Sequence, residues 1–376
     1  MRIGRLFGID IAIDVSWLFI FAIVAWSLGS PVGPFRATDV TPATRALLAI
    51  VTALLLFSSV ILHELAHSLA AKRSGIEIKE IRLFLFGGVS RFESEPKTPG
   101  LAAWISFAGP LTSFVLAGIS ALVGFALGGT KTPAGTAFDY LAAANAILGA
   151  FNLLPAFPMD GGRVLQSLIW GITHDRLRAT RIAAWVGGGI AWLAIVAGIV
   201  DILQRGFGAG IWYMLMGWFL LRAGQSEANS AVLQDAIVGH TALQLAEPVR
   251  ASVPADALGD AVLQVMLKSG ARAVPVLLGD RFIGIIAMAD LAHVEAAELS
   301  QTYATALMKR IEDLKSIPPD ADAGEALRLL GETGFNQLPV VDADGTLVGF
   351  VTRQGVIDWL ASNGKRNGKA RVQAAV

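Results

Sequence analysis

The segment of this chain best equipped for chemistry is His63-Glu64-Leu65-Ala66-His67, inside an apolar run over about 46–71. On a helix, residues four apart share a face, so both imidazoles can hold one metal ion. Glu64, about 100° round the axis, then reaches a water at that ion. The pattern supplies Zn²⁺ with two ligands and a general base. The sequence has 5 His and 0 Cys, which excludes disulfides and thiolate ligands and leaves any transition-metal site to His and carboxylates. Three ionisable groups in a hydrophobic span are costly to bury, and such groups are usually functional. The competing reading is a structural polar cluster between helices.

Zinc held by two His needs a third protein ligand and an open position for water. The run Asn152-Leu153-Leu154-Pro155-Ala156-Phe157-Pro158-Met159-Asp160-Gly161-Gly162-Arg163 ends a second apolar stretch with helix-breaking prolines and a carboxylate at about the same depth. Asp160 is therefore the natural third ligand. Its alternative is a turn-forming Asp before glycines. The other nearby acids, Glu77, Glu80 and Asp175, lie on polar connections. His174 reads as an interfacial loop residue, and His240 and His293 belong to the other half of the chain.

The elements that must position these groups are membrane helices. Of 376 residues, 54% are hydrophobic and 16% charged, which fits no ordinary soluble protein. The formal net charge of +0 hides a split: residues 1–225 hold 17 basic and 12 acidic side chains, and 226–376 hold 13 and 18. Eight of the nine Trp also fall in the first part. A membrane domain followed by an acidic soluble one is the expected organisation, and nucleic acid is not indicated. Stretches over about 12–28, 46–71, 102–128 and 180–203 are long enough to cross roughly 30 Å of hydrocarbon. Two shorter ones, about 137–154 and 210–222, bring the expected count to six. The first stretch is no cleaved signal peptide, since no small-residue cleavage site follows it.

With the N-terminus inside, thirteen basic residues fall in inside segments (Arg2, Arg5, Lys72, Arg73, Lys79, Arg82, Arg91, Lys97, Arg163, Arg176, Arg178, Arg181 and Arg222) and four outside (Arg36, Arg45, Lys131 and Arg205). Both termini and the acidic tail are thus expected in the cytosol of a multi-pass cell-membrane protein. Residues 76–92 alternate apolar and polar at first and continue past Gly87-Gly88 with a second β-prone piece, so an interfacial hairpin is expected. Its edge could pair with another extended chain. The alternative is a connector packed on the bilayer surface.

His63–His67 within a span, together with Asn152-x-x-Pro155-x-x-Pro158-x-Asp160-Gly161, resembles the site-2 protease family of intramembrane zinc metalloproteases, over roughly residues 1–222. The resemblance implies a six-helix protease with one Zn²⁺ per chain held by His63, His67 and Asp160, with Glu64 as catalytic base. It also implies that Asn152 helps position the substrate carbonyl. Gly109-Pro110 resembles another family motif, although Ser113 stands where an Asn is common, and no role follows for it. Peptide bonds in a substrate helix are shielded by hydrogen bonds, so the substrate must unwind locally. Helix-weakening residues and edge pairing with 76–92 would help.

Residues from about 240 to 361 repeat internally: Val274-Pro275-Val276 and Gly284-Ile285-Ile286 align with Leu338-Pro339-Val340 and Gly349-Phe350-Val351. Each copy reads as a helix (about 257–269 and 322–333), two apolar strands and another helix. This resembles a tandem pair of cystathionine-β-synthase (CBS) domains, which implies an adenosine-nucleotide-binding regulatory module. In that family a strand ending Gly-x-x-Thr/Ser-x-x-Asp contacts phosphate and ribose. Here the first copy keeps Asp290 but has Ala287 for the hydroxyl residue, and the second keeps Thr352 but has Gly355 for the acid. Asp290 and Thr352 are the only nucleotide contacts nominated, and binding is expected to be weak or absent. The module is then expected to act by homodimerisation or by gating the cytosolic mouth of the protease.

The expected fold is a multi-pass α-helical membrane protein with six transmembrane helices and a small interfacial β segment, plus a cytosolic α/β tandem CBS module. Its divisions are 1–222 protease, 223–239 linker, 240–298 and 299–361 CBS copies, and 362–376 a basic tail. The expected function is intramembrane proteolysis of a single-pass membrane protein already trimmed outside. The resemblance suggests a membrane-bound regulator such as an anti-sigma factor. A divalent-metal transporter competes, yet it has no need of Glu64 between the two His, and no inverted repeat is apparent. A non-proteolytic scaffold is disfavoured because all four catalytic positions are filled.

Overall fold

The structure is a computed structural model that describes residues 2–84, 87–92, 96–332 and 337–363. It divides into two compact units, Met1–Ala231 and Val232–Val376. The first unit contains β1 (Arg2–Leu6), β2 (Ile9–Ile13), α1 (Val15–Gly29), α2 (Pro42–Arg73), β3 (Ile78–Phe84), β4 (Gly87–Phe92), α3 (Pro99–Ala126), α4 (Pro133–Asn152), α5 (Asp160–Thr173), α6 (Arg176–Arg205) and most of α7 (Ala209–Ile237).

Three of these helices begin alike. Thr41, Thr98 and Thr132 cap α2, α3 and α4, their hydroxyls accepting from the N–H groups of Thr44, Leu101 and Gly135. A Pro follows each at the first helical position, where its missing N–H costs no intrahelical bond. Hydropathy alone would start these helices several residues late; the Thr-Pro pairs mark the true starts. Asp14 and Asp175 cap α1 and α6 by accepting from Ser16 and Arg178.

Among the described residues, four helical segments are long and apolar enough to cross a membrane: Val15–Arg36, Pro42–Arg73, Pro99–Ala126 and Arg176–Arg205. The two shorter apolar stretches lie in α4 and in the first half of α7. Large apolar side chains point outward, among them Trp185, Leu203 and Phe125 at 77%, 80% and 85% exposure. In water such a surface would be an aggregation hazard, but hydrocarbon is its matching solvent. The inward positions are small: Ala49, Thr52, Ala53 and Ser59 on α2, and Ala108, Gly109 and Ser113 on α3. Small residues let backbones approach where burial of apolar surface no longer drives association.

The first unit also holds a four-stranded sheet in the order β1-β2-β3-β4. Its outer pairs are antiparallel, and β2 runs parallel to β3 with Ile11 opposite Ile81. A parallel pair needs a crossover, and here α1 and α2 provide it by running out and back. The apolar run over about 12–28 thus begins in β2 rather than in α1, and it conceals β1 and β2. The signal was present, because Ile9, Ile11 and Ile13 alternate with Asp10, Ala12 and Asp14. Phe7 and Gly8, both at positive φ (50° and 80°), turn the β1–β2 hairpin. The sheet buries Ile9 and Ile81 against Leu65 of α2, with Leu69 beside them, and Lys72 Nζ donates to the Phe7 carbonyl at 2.7 Å.

The second unit continues with α8 (Ala242–Leu245), β5 (Val253–Pro254), α9 (Gly259–Ser269), β6 (Ala273–Leu278), β7 (Arg281–Ala287), α10 (Met288–Leu291), α11 (Ala296–Leu299), α12 (Ala304–Leu307), β8 (Lys309–Arg310), α13 (Ala323–Glu332), β9 (Gln337–Val341), β10 (Leu347–Thr352) and α14 (Arg353–Asn363). The repeat is visible in the register: Val274 pairs with Ile286 and Leu338 with Val351 in two equivalent antiparallel hairpins. The described residues of this unit form two cores. Val253, Val262, Met266, Val274 and Ile286 form one, joined by Leu299 and Ala304. Leu330, Leu338, Val340 and Val351 form the other, joined by Ile237, Ala242 and Leu245 from before the first copy. The chain thus contributes its opening segment to the second core. The segment 223–239 is helical as far as Ile237. The basic stretch Lys365 to Arg371 lies outside the described residues.

Candidate active site and metal centre

His63 and His67 lie one turn apart on α2, both buried, at 3% and 7% exposure. Leu65 and Leu69, each two residues and so about 200° further round, hold the opposite face of the helix against the sheet. That arrangement turns both imidazoles toward α3 and α5. Glu64 follows His63 directly and is half-buried.

Asp160 reaches the same point from another element. After α4 ends at Asn152, residues 153–159 fold back on the start of α5, so that a Cβ on Gly161 would lie against the carbonyl oxygens of Leu153 and Leu154. A Cβ on Gly162 would lie 2.7 Å from the Ala156 carbonyl carbon. Only glycine permits this close return. Asp160 is consequently the first residue of α5, where the free N–H groups and the helix dipole favour a carboxylate.

The three side chains converge. His63 Nε2 and His67 Nε2 each lie 3.2 Å from Asp160 Oδ2 and 3.3 Å from one another. Ligands about 2.0–2.2 Å from a tetrahedral zinc stand about 3.3–3.6 Å apart, so this triangle has the size of one face of a zinc coordination sphere. The donors also fit chemically: two neutral imidazole nitrogens and one carboxylate, with no thiolate. His67 Nδ1 lies 2.6 Å from the Ile105 carbonyl oxygen and His63 Nδ1 lies 2.9 Å from Ser113 Oγ, so both rings have their Nε2 atoms turned to the common point. Gly109 of α3 makes room there. A Cβ at that position would sit 2.6 Å from His63 Nε2 and closer still to His67 Nε2.

The structure therefore brings together His63, His67 and Asp160, with Glu64 adjoining. Asn152 closes α4, half-buried, eight residues before Asp160. The features that sequence reasoning did not assign are the Ile105 carbonyl, Gly109 and Ser113. Their spacing of four along α3 was the available signal, but it acquires meaning only once α3 is known to lie along α2. In the other unit, Asp290 Oδ2 accepts from the Ala287 N–H at 2.8 Å and Thr352 Oγ1 accepts from the Gly355 N–H at 2.8 Å. Both side chains hold the starts of helices. At Gly355 the side chain of Glu247 covers the backbone, with its Oε1 2.8 Å from where a Cβ would be.

Among known proteins, the profile described as peptidase family M50 matches residues 51–140 and 130–196, and the CBS domain profile matches 304–362. The Synechocystis sp. protein sll0528, which bears a zinc metalloprotease name, is 34% identical over 96% of both chains. Rip3 of Mycobacterium tuberculosis, likewise so named, is 30% identical over 94% of this chain and 91% of its own. A solved structure of the site-2 protease from Methanocaldococcus jannaschii is 30% identical, covers 61% of this chain and 94% of that one, and has a TM-score of 0.41.

Proposed function

The chain belongs to peptidase family M50, the site-2 protease family, and on that premise we propose that His63, His67 and Asp160 are the three protein ligands of its zinc ion and Glu64 its base. It is an intramembrane zinc metalloprotease with a C-terminal CBS domain. The observation that carries the ligand assignment is the triangle of donor atoms with sides of 3.2–3.3 Å.

Zinc held there supplies the Lewis acidity that makes a nucleophile of water near neutral pH. Glu64 takes a proton from the attacking water and passes it to the departing amine, so that one water is added across one amide bond. Asn152 orients the scissile carbonyl by donating to its oxygen. The rings of His63 and His67 are held in orientation, because each Nδ1 meets a partner behind it, Ser113 Oγ and the Ile105 carbonyl oxygen.

The substrate in this reading is a single-pass membrane protein, such as a membrane-bound anti-sigma factor, whose unwound segment lies beside β4, one of the two edge strands of the interfacial sheet. Six helices, α1, α2, α3, α4, α6 and α7, cross the cell membrane, and α5 lies between crossings. The parallel pairing of β2 with β3 supports an even number of crossings between them. Both termini are cytosolic, as the thirteen-to-four distribution of basic residues favours. A reporter fused after residue 225 should be active only on the cytosolic side; activity confined to the outer side would overturn the orientation.

The CBS pair over 240–298 and 299–361 regulates the protease, through homodimerisation or by gating access. Nucleotide binding should be weak, because Asp290 and Thr352 are engaged in capping and Glu247 lies over Gly355. Loss of one hydrogen bond to a charged or paired group removes about 1.5–3 kcal/mol, roughly ten- to hundredfold in affinity. Titration calorimetry of the purified protein with ATP, ADP and AMP should find no low-micromolar site. Such binding, abolished by Asp290→Ala or Thr352→Ala, would refute this expectation.

A further inference from the structure

We infer that Ser113 is a positioning residue of the metal centre, setting which nitrogen of His63 is free to bind zinc. The inference rests on the assignment of His63, His67 and Asp160 as ligands. With both Nε2 atoms aimed at the common point, each Nδ1 must carry the proton, and each buried N–H must find an acceptor. His67 finds a main-chain oxygen, the Ile105 carbonyl at 2.6 Å, which no side-chain substitution can remove. His63 depends on a side chain. Its Nδ1–H donates to Ser113 Oγ at 2.9 Å, and Ser113 is fully buried, with no access of bulk water to take its place.

The geometry generalises along α3. Ile105, Gly109 and Ser113 follow one another at intervals of four and therefore share one face. The first fixes His67, the second leaves the space in front of both Nε2 atoms open, and the third fixes His63. Since α2 and α3 read this face in opposite directions, the two rings are held by independent contacts. Without the hydroxyl, the His63 ring loses the contact that distinguishes its two tautomers. In one of them an N–H points at the metal position instead of a lone pair. Removal of such an outer partner typically lowers metal affinity about 10–100-fold.

The test is zinc affinity of the purified full-length protein, measured by competition with a chromophoric chelator. Ser113→Ala should bind zinc about 10–100-fold more weakly, whereas Ser113→Thr and Ser113→Asn, which retain an oxygen acceptor, should stay close to wild type. Thr112→Val is the control, because the Thr112 hydroxyl donates within its own helix to Ala108 at 2.9 Å; its zinc affinity should not change. Should Ser113→Ala fail to fold, Ser113→Cys keeps the volume but offers a poor acceptor, and it should show the same direction of loss. Wild-type affinity in a folded Ser113→Ala or Ser113→Cys protein overturns the inference, as does equal loss in Ser113→Thr and Ser113→Asn. His63→Ala separates the two levels of the argument. If it too retains zinc, the ligand assignment has failed; if it alone loses zinc, only the role of Ser113 has.

Discussion

Glu64→Gln should retain one zinc per chain and lose peptide-bond cleavage by about 10²- to 10⁴-fold, the range contributed by a positioned proton acceptor. The substitution keeps the volume and the hydrogen-bonding reach of the side chain, and it touches none of the three converging donors, His63, His67 and Asp160. What it removes is basicity. A glutamine cannot take a proton from water, so the loss falls on turnover while metal content stays level. Metal analysis together with cleavage of a transmembrane peptide in detergent reads both quantities on one sample. Cleavage comparable to wild type would mean that proton transfer is done elsewhere, and loss of zinc would mean that Glu64 helps to hold the ion.

Replacing a ligand should produce the opposite pattern. His63→Ala, His67→Ala and Asp160→Ala each take one of three protein donors, so zinc affinity should fall by more than the roughly 10–100-fold cost of losing an outer partner. Cleavage should disappear with the metal and return partly at high zinc concentration. Asp160→Ala is the most informative of the three, because its side chain comes from a different helix and meets both imidazoles through a single oxygen, Oδ2. Full zinc content and activity in that variant would move the third ligand elsewhere, with Glu77 the first residue to test.

Much of this was legible in the residues. The i, i+4 histidines state their own geometry once they lie on a helix, and Asp160 stands out as the carboxylate following a run of helix breakers at matching depth. The repeat after residue 240 is readable because Val274-Pro275 and Leu338-Pro339, and the strands that follow them, recur 64 and 65 residues apart. The β1–β2 hairpin is hidden because Ile11, Ala12 and Ile13 run almost directly into the apolar helix after them. Helix α5 opens on Gly161 and Gly162, which do not announce a helix, and its small residues face inward only when α3 and α6 are present. The link from Ser113 to His63 spans 50 residues and depends on the rotation of one helix against another. Local sequence carries no record of that angle.

Helix α2 is clamped on two sides, by the sheet at Leu65 and Leu69 and by α3 at the two histidines. Mechanically, the helix is an axle with a stop on each flank. Its side-chain tips ride about 5–6 Å from the axis, so a rotation of roughly 10° sweeps the imidazole nitrogens through about 1 Å. Misplacement on that scale can cost about a hundredfold in rate. The β1–β2 hairpin, pinned to the end of α2 by Lys72, adds a further hold on the angle of that axle.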